Sequence, residues 1–425
     1  MKEIKLIKNK FKKSIKIPGS KSISNRALIC GALASGNSTL YNILDSDDTR
    51  VMVDSLQKLG YKISKQNGAL KIAGGIEKVK NFEQKIYTKN AGTATRFLLA
   101  FLCLLNGDFT LSVNKRMSQR PINDLCLSLK PLKCNIKFLK KVGYPPLQIL
   151  PSKMEGGKTK IKGNISSQYL SALLLTTPYA KKNTEITVTT KLTSKPYIKT
   201  TLEVIKAFKC QIQASKDLKK FKIKGSQKFK PQKYTIEADA SSATYFLALA
   251  ALHNSEITIK NLTLNSIQGD IAFLSVLEKM GAKIVSKAPI KLKGPKLLKP
   301  LGKIDLNEIP DAAMTAVILA ALAKGKSHIT GLGNLRVKEC DRLKALATEL
   351  KKVGADVKEL KSGIIINGDP EKLHSAAINT YDDHRMAMCF AVLGTKIPGI
   401  KIKNPDCVNK TYPNFWKDLS SIYKN

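Results

Sequence analysis

An internal repeat constrains this chain more than anything else in it. A small polar cluster opens an Ala/Leu-rich segment six times, at intervals of about 70 residues. The segments begin near Ser24 (SNRALICGALA), Thr93 (TATRFLLAFLCLL), Ser166 (SSQYLSALLLTTPYA), Ser241 (SSATYFLALAAL), Asp311 (DAAMTAVILAALA) and Asp382 (DDHRMAMCFAVLG). Ser, Thr and Asp are helix N-cap types, because a side-chain oxygen can accept from the unpaired N–H groups of the first turn. The remainder of each segment is apolar nearly all round, which predicts helices buried on every side. After each helix come a turn, an alternating strand, a second polar cluster and an amphipathic helix. The first copy runs from Gly36 (GNSTLYNILDSDDTRVMVDSLQKLGYKI) and the fifth from Gly325 (GKSHITGLGNLRVKECDRLKALATELKKVGADV). NGDFTLSV at Asn106, KNTEITVT at Lys182 and HNSEITIK at His253 open the copies between, and the last, from Ile397, is shorter but keeps the order.

Six strand-helix-strand-helix-strand units in two groups of three predict an α/β protein. At 425 residues with 43% apolar content, the chain is too long for one ordinary domain. Crossovers near Pro18–Gly19 and Glu237–Asp239 give one domain of residues 1–18 plus 238–425 and another of residues 19–237. The buried helices would point their N-termini at a cleft between the domains. A helix N-terminus presents unpaired N–H groups and a partial positive charge, so several converging on one place predict an anion site.

The formal charge of +41 points to nucleic acid, an anionic membrane or anionic small molecules. Lysines are spread along the whole chain, and the few aromatics do not interleave with them. That argues against a nucleic-acid-binding α/β protein, whose affinity would collapse with salt. Met1 to Lys13 alternates Lys with single apolar residues and lacks the features of a secretory signal, so it reads as a first strand in a cytoplasmic protein with no membrane partner. Eight scattered cysteines without a C-x-x-C pair suggest buried thiols, and neither a metal site nor disulfides. Removing eight arginines from the 73 basic residues leaves 65 lysines. The exceptions, Arg26, Arg50, Arg96, Arg116, Arg120, Arg336, Arg342 and Arg385, mark places where a rigid donor fork matters, since guanidinium grips carboxylate or phosphate bidentately.

Two phosphate-loop patterns fail on inspection. Gly325-Lys326-Ser327 has Ala320 where a P-loop needs glycine, and Gly331-Leu332-Gly333 has Arg336 where a dinucleotide fingerprint needs its third. His253, His328 and His374 lie in turn or strand contexts and read as structural.

GSKSISNR (Gly19 to Arg26) resembles the shikimate-pathway enolpyruvyl transferases. The likeness continues in order through NAGTATR (Asn90 to Arg96), RMSQRPINDL from Arg116, NISSQYLSALLL from Asn164, TSKPYIKTT from Thr193, NEIPDAAMT from Asn307, RVKECDRL from Arg336, YDDHRMAM from Tyr381 and NKTYPNFW from Asn409. It covers nearly the whole chain. The resemblance implies a two-domain inside-out α/β barrel of six βαβαβ-type units, three per domain, closing on the substrates phosphoenolpyruvate and shikimate 3-phosphate. It implies no cofactor and no metal, and a monomer is expected.

Residue by residue, the resemblance implies that Lys21, Ser22, Arg26, Ser166, Ser167, Gln168, Ser194, Tyr197, Asp311, Asn334 and Lys338 hold shikimate 3-phosphate. Lys21, Gly92, Arg120, Gln168, Arg342, Arg385 and Lys410 would hold phosphoenolpyruvate, with Asn90 and His384 as further candidates. Asp311, Glu339 and Lys21 would carry the proton transfers. Thr95 and Phe97 adjoin the expected phosphoenolpyruvate pocket, where relatives often carry Pro in place of Phe97, and competition by glyphosate is expected. The nearest alternative is the sister UDP-N-acetylglucosamine enolpyruvyl transferase, which typically uses a loop cysteine; Arg116 to Arg120 contains none, and SSQYLS with SKPY fits the shikimate branch. Without the motif, Asp311 reads equally as an N-cap after Pro310. Glu339 and Arg342, at i, i+3, read as a surface ion pair.

Overall fold

The computed structural model describes residues 1–80 and 82–423. The chain divides into two compact units, Gly19–Ile236 and Met1–Pro18 with Glu237–Asn425.

Three central helices, Lys21–Leu33, Gly92–Leu102 and Ser167–Thr176, pack on one another in the Gly19–Ile236 unit. Every residue of Gly92–Leu102 is buried, which a segment without a polar face demands. Four-stranded sheets cover them. In the second repeat Glu83–Tyr87 runs parallel to Asp108–Ser112, with the central helix as the crossover, and Leu147–Leu150 and Asn135–Phe138 add antiparallel beyond. Phe109 and Leu111 point inward and alternate with less buried neighbours, as the two-residue period of a one-sided sheet dictates. The third repeat has the same strand order, Gly157–Ile161, Thr184–Val188, Lys220–Ile223 and Ile212–Ala214.

The first repeat breaks the rule. The strand parallel to Gly36–Tyr41 is Lys233–Thr235, from the far end of the unit. The segment that precedes the first central helix in sequence, Lys12–Ile15, pairs instead with Glu256–Ile259 of the fourth repeat. The expected single strand over Met1 to Lys13 is therefore two strands in two sheets, because Lys2–Glu3 pairs with Lys401–Ile402 of the last repeat. Ile4 and Phe11, both 4% exposed, turn into the core between them.

The other unit repeats the plan around Ala240–Leu252, Pro310–Ala321 and His384–Gly394. Capping matches the expected residue types but not always the expected residues. Ser20, Ser166, Asp239 and Asp383 accept from the first-turn N–H groups of Ile23, Gln168, Ser242 and Arg385. Ala91 and Ile309 occupy the cap positions of the other two helices without a side-chain hydrogen bond. Asp311 is thus the second residue of its helix, after Pro310, and is not its cap.

Five amphipathic helices end in the same left-handed turn. Gly60, Gly281 and Gly354 have φ of 104°, 100° and 88°, and Lys133 and Lys209 take the equivalent place at 68° and 66°. The following N–H returns to the carbonyl five residues back in each case: Tyr61 to Leu56, Cys134 to Leu129, Cys210 to Ile205, Ala282 to Leu277 and Ala355 to Leu350. This is the Schellman closure, and it aims each chain end into its hairpin strand.

His253 closes the helix Ala240–Leu252, and its Nε2 lies 2.9 Å from the Thr395 hydroxyl. Burial, and then Lys396, push its pKa down to about 4. The folded pKa lies below the unfolded one, so the unfolded chain binds more protons between pH 6.5 and 4 and stability falls as pH drops through that window. The loss should reach on the order of 3 kcal/mol at about 1.4 kcal/mol per pKa unit. Urea unfolding from pH 7 to 4 should show this slope in the wild type and a flatter one in His253→Asn.

Candidate active site

Three carboxylates meet around one guanidinium in the Met1–Pro18 and Glu237–Asn425 unit. Arg342 begins the helix Arg342–Lys352 and is 2% exposed. Its Nε donates to Asp383 Oδ2 at 2.7 Å and its Nη2 to Asp383 Oδ1 at 3.2 Å. Its Nη1 donates to Asp311 Oδ1 at 3.0 Å, and its Nη2 lies 2.8 Å from Glu339 Oε2. Burial alone would lower the Arg342 pKa, but Asp383, Glu339 and Asp311 outweigh it and hold the group above its ordinary value.

Asp311 gathers a second guanidinium and an ammonium. Arg385 Nη2 donates to Asp311 Oδ2 at 3.1 Å, and Lys338 Nζ lies 3.6 Å from Oδ1. Arg385 Nη1 also reaches the Tyr245 hydroxyl at 3.2 Å. Asp311, Lys338, Glu339, Arg342 and Arg385 therefore stand together. The short helices Gly333–Val337, with Asn334, and Pro405–Lys410, ending in buried Lys410, pack against the helices that begin with Arg342 and His384 respectively. His384 is fully buried, with Nδ1 3.6 Å from Asp383 Oδ1. Cys340 Sγ lies 3.6 Å from Asp383 Oδ2, and burial, then Asp383, raises its pKa, which keeps it a thiol and not a nucleophile.

The Gly19–Ile236 unit holds its own set. Lys21 Nζ lies 3.1 Å from Asp48 Oδ2. Arg26 is 1% exposed and gives all five N–H bonds to neutral acceptors: Thr201 Oγ1, the Ser22 hydroxyl and carbonyl, Ser171 Oγ and the Tyr197 carbonyl. Burial lowers its pKa to about 10. Around Gly92, Arg96 Nη1 donates to Gln168 Oε1 at 2.5 Å, and Gln168 Nε2 donates to Thr93 Oγ1 at 3.0 Å. A methyl on Gly92 would lie 2.7 Å from Arg120 Nη1 and 3.0 Å from Arg96 Nη1. Ser166 caps the helix that carries Ser167 and Gln168, and Ser194, left-handed at φ 55°, opens the helix Lys195–Ala207 that carries Tyr197. Asn90 follows a left-handed Lys89, φ 51°, just ahead of Gly92.

Sequence reasoning missed Asp383, Asp48 and Tyr245 as parts of these clusters, and marked Arg96 only through the choice of Arg over Lys. Scarcity was the available signal for the first two: among only 32 acidic residues, the pairs Asp47-Asp48 and Asp382-Asp383 stand inside the motif segments. Nothing in the sequence marks Tyr245, which acts across a helix packing. The Glu339–Arg342 pair is not a surface pair, since both side chains are under 10% exposed.

A family model for EPSP synthase (3-phosphoshikimate 1-carboxyvinyltransferase) matches residues 6–419. The chain belongs to this family. A 3-phosphoshikimate 1-carboxyvinyltransferase of Shewanella sediminis is 44% identical over 418 residues, 97% of each chain. One from Shewanella sp. (strain MR-7) is 46% identical over 415 residues, 96% of each. The solved EPSP synthase of Acinetobacter baumannii superposes with a TM-score of 0.80 at 26% identity, covering 99% of this chain and 97% of that one. As a member of the EPSP synthase family, the chain has the inside-out α/β architecture of six small sheets.

Replacing Asp383 by Asn removes the carboxylate that grips Arg342 twice. Breaking a buried pair in this way should destabilise the protein by roughly 3 kcal/mol, measured as a fall in the urea unfolding midpoint. Glu256→Gln, on a carboxylate whose lysine partners include the 76% exposed Lys12, should change little.

Proposed function

We propose that the chain transfers the enolpyruvyl group of phosphoenolpyruvate to the 5-hydroxyl of shikimate 3-phosphate, releasing phosphate, as a cytoplasmic monomer that acts on small molecules only. Family membership over nearly the whole chain carries this reading. The buried guanidinium groups support it, because both substrates present carboxylate and phosphate oxygens that match rigid N–H forks.

The new C–O bond forms between the 5-hydroxyl oxygen and the central carbon of phosphoenolpyruvate, whose methylene carbon takes up a proton. Asp311 accepts the hydroxyl proton. Lys21 and Glu339 deliver the methylene proton and later remove one from the resulting methyl group, as the C–O bond to phosphate breaks and phosphate departs. Arg120, Arg342, Arg385 and Lys410 hold phosphoenolpyruvate beside Gly92, and cations fixed before the reaction stabilise charge without reorganising. Ser22, Arg26, Ser166, Ser167, Gln168, Ser194, Tyr197, Asn334 and Lys338 hold shikimate 3-phosphate. Arg26, buried with only neutral partners, gains most from an incoming anion.

Purified protein should release phosphate only when both substrates are present, and Asp311→Asn should lower kcat by about 10²–10⁴-fold, the usual contribution of a general base. Release with UDP-N-acetylglucosamine in place of shikimate 3-phosphate would move the chain to the sister activity, and release with neither acceptor would end the proposal.

Gly92→Ala should push on Arg120 and Arg96. The KM for phosphoenolpyruvate should rise about tenfold, a binding loss of about 1.4 kcal/mol, while the KM for shikimate 3-phosphate stays within about twofold. Steady-state kinetics with each substrate varied separately checks this.

A further inference from the structure

Glu349 lies seven residues after Arg342 on the helix Arg342–Lys352, two turns along and so near the same face. It is fully buried. A buried carboxylate is costly unless its oxygens are satisfied, and the donors to this one come mostly from a single short segment. The Asn379 N–H donates to Oε2 at 3.0 Å, Asn379 Nδ2 to Oε1 at 3.4 Å and the Tyr381 hydroxyl to Oε1 at 2.7 Å, with Lys352 Nζ on Oε2.

That segment has an unusual backbone. Tyr381 and Asp382 are consecutive non-glycine residues with φ of 54° each, a conformation held only where the surroundings impose it. Asn404 Nδ2 pins Asp382 from the other side at 2.5 Å. The next residue is Asp383, which grips Arg342 and accepts the Arg385 N–H at 2.9 Å. One helix therefore holds this turn at two points, through Asp383 on Arg342 at its start and through Glu349 on Asn379 and Tyr381 two turns later.

We infer that Glu349 is a positioning residue for the Arg342 and Arg385 anion grip, acting through the left-handed Tyr381–Asp382 turn that delivers Asp383; the inference rests on the function proposed above. Glu349 touches neither guanidinium. It fixes the backbone from which Asp383 reaches Arg342 and from which Arg385 starts its helix, so its loss lets both guanidinium forks drift from the carboxylate they must meet. Tyr381 transmits part of this hold through its hydroxyl alone.

The test measures KM for each substrate and kcat for wild type, Glu349→Gln, Glu349→Ala and Tyr381→Phe, with folding of each checked by thermal unfolding. Small misplacements of binding groups are costly, so the KM for phosphoenolpyruvate should rise about tenfold or more in Glu349→Ala and less in Glu349→Gln, which keeps one acceptor. Tyr381→Phe should show a smaller rise in the same direction, and the KM for shikimate 3-phosphate should stay within about twofold throughout. Folded Glu349 variants with wild-type KM for phosphoenolpyruvate would overturn the inference, even if they melt earlier. Should both fail to fold, Tyr381→Phe decides it, and an unchanged KM there overturns it. A wild type without turnover would defeat the proposed function instead; calorimetric binding of phosphoenolpyruvate to the same variants would then decide the inference by the same comparison.

Discussion

A helix that is apolar the whole way round has to be covered the whole way round, and six such helices leave the chain few architectures. Four of the central helices, Gly92–Leu102, Ser167–Thr176, Pro310–Ala321 and His384–Gly394, are crossovers between two parallel strands, so the element needing cover also brings its own sheet back over itself. The amphipathic helix and the hairpin after it complete the layer, and the left-handed Schellman turns set the angle at which each hairpin begins. Gly60, Gly281 and Gly354 meet that geometry at no steric cost. Lys133 and Lys209 meet it against their intrinsic preference, so the packing of the repeat, not the turn residue, decides the conformation there.

The electrostatics come from the same arrangement. Central helices present their N-terminal turns at one end of each unit, and the site residues collect at those turns: Lys21, Ser22 and Arg26, Gly92 and Arg96, Ser167 and Gln168, Asp311, Arg385. In a chain with 73 basic and 32 acidic residues, carboxylates are the scarce component. Asp311, Glu339 and Asp383 all stand on Arg342, which keeps a fully desolvated guanidinium ionised. Arg26, with hydroxyl and carbonyl partners only, sits at the opposite extreme. The two show how differently one side-chain type can be prepared for anions.

Much of this was legible in the sequence, for definable reasons. The fold class rests on a period of about 70 residues and on helices without a polar stripe, both of which survive any local ambiguity. The choice of Arg over Lys pointed to Arg26, Arg96, Arg120, Arg342 and Arg385, all of which prove buried. Arg50 obeys the same rule and is exposed, paired with Asp45, because a surface salt bridge can also use the fork. Cap positions differ by a few residues where Ser20 and not Ser24, or Ile309 and not Asp311, stands at the helix start, since a cap depends on backbone angles that the residue type only favours. The partners of the charged groups were least legible: Asp383 on Arg342 and Tyr245 on Arg385 join residues 41 and 140 positions apart, distances over which one sequence carries no pairing signal.

The displaced strands bear on the order in which the molecule can assemble. Lys12–Ile15 leaves the ribosome early, but its partner Glu256–Ile259 is made only after the whole of Gly19–Ile236. Asn261, which holds both the N–H and the carbonyl of Ile17, lies 244 residues downstream. Gly19–Ile236 already contains its own closing strand, Lys233–Thr235, so it can complete its sheets while the N-terminal segment waits unpaired. Domains generally fold as units during synthesis, and here a segment translated ahead of Gly19–Ile236 finds its place only after that unit is made. The lysines of Met1 to Lys13 acquire a second use in that interval: an unpaired edge segment with seven charged residues among thirteen resists pairing with the wrong strand.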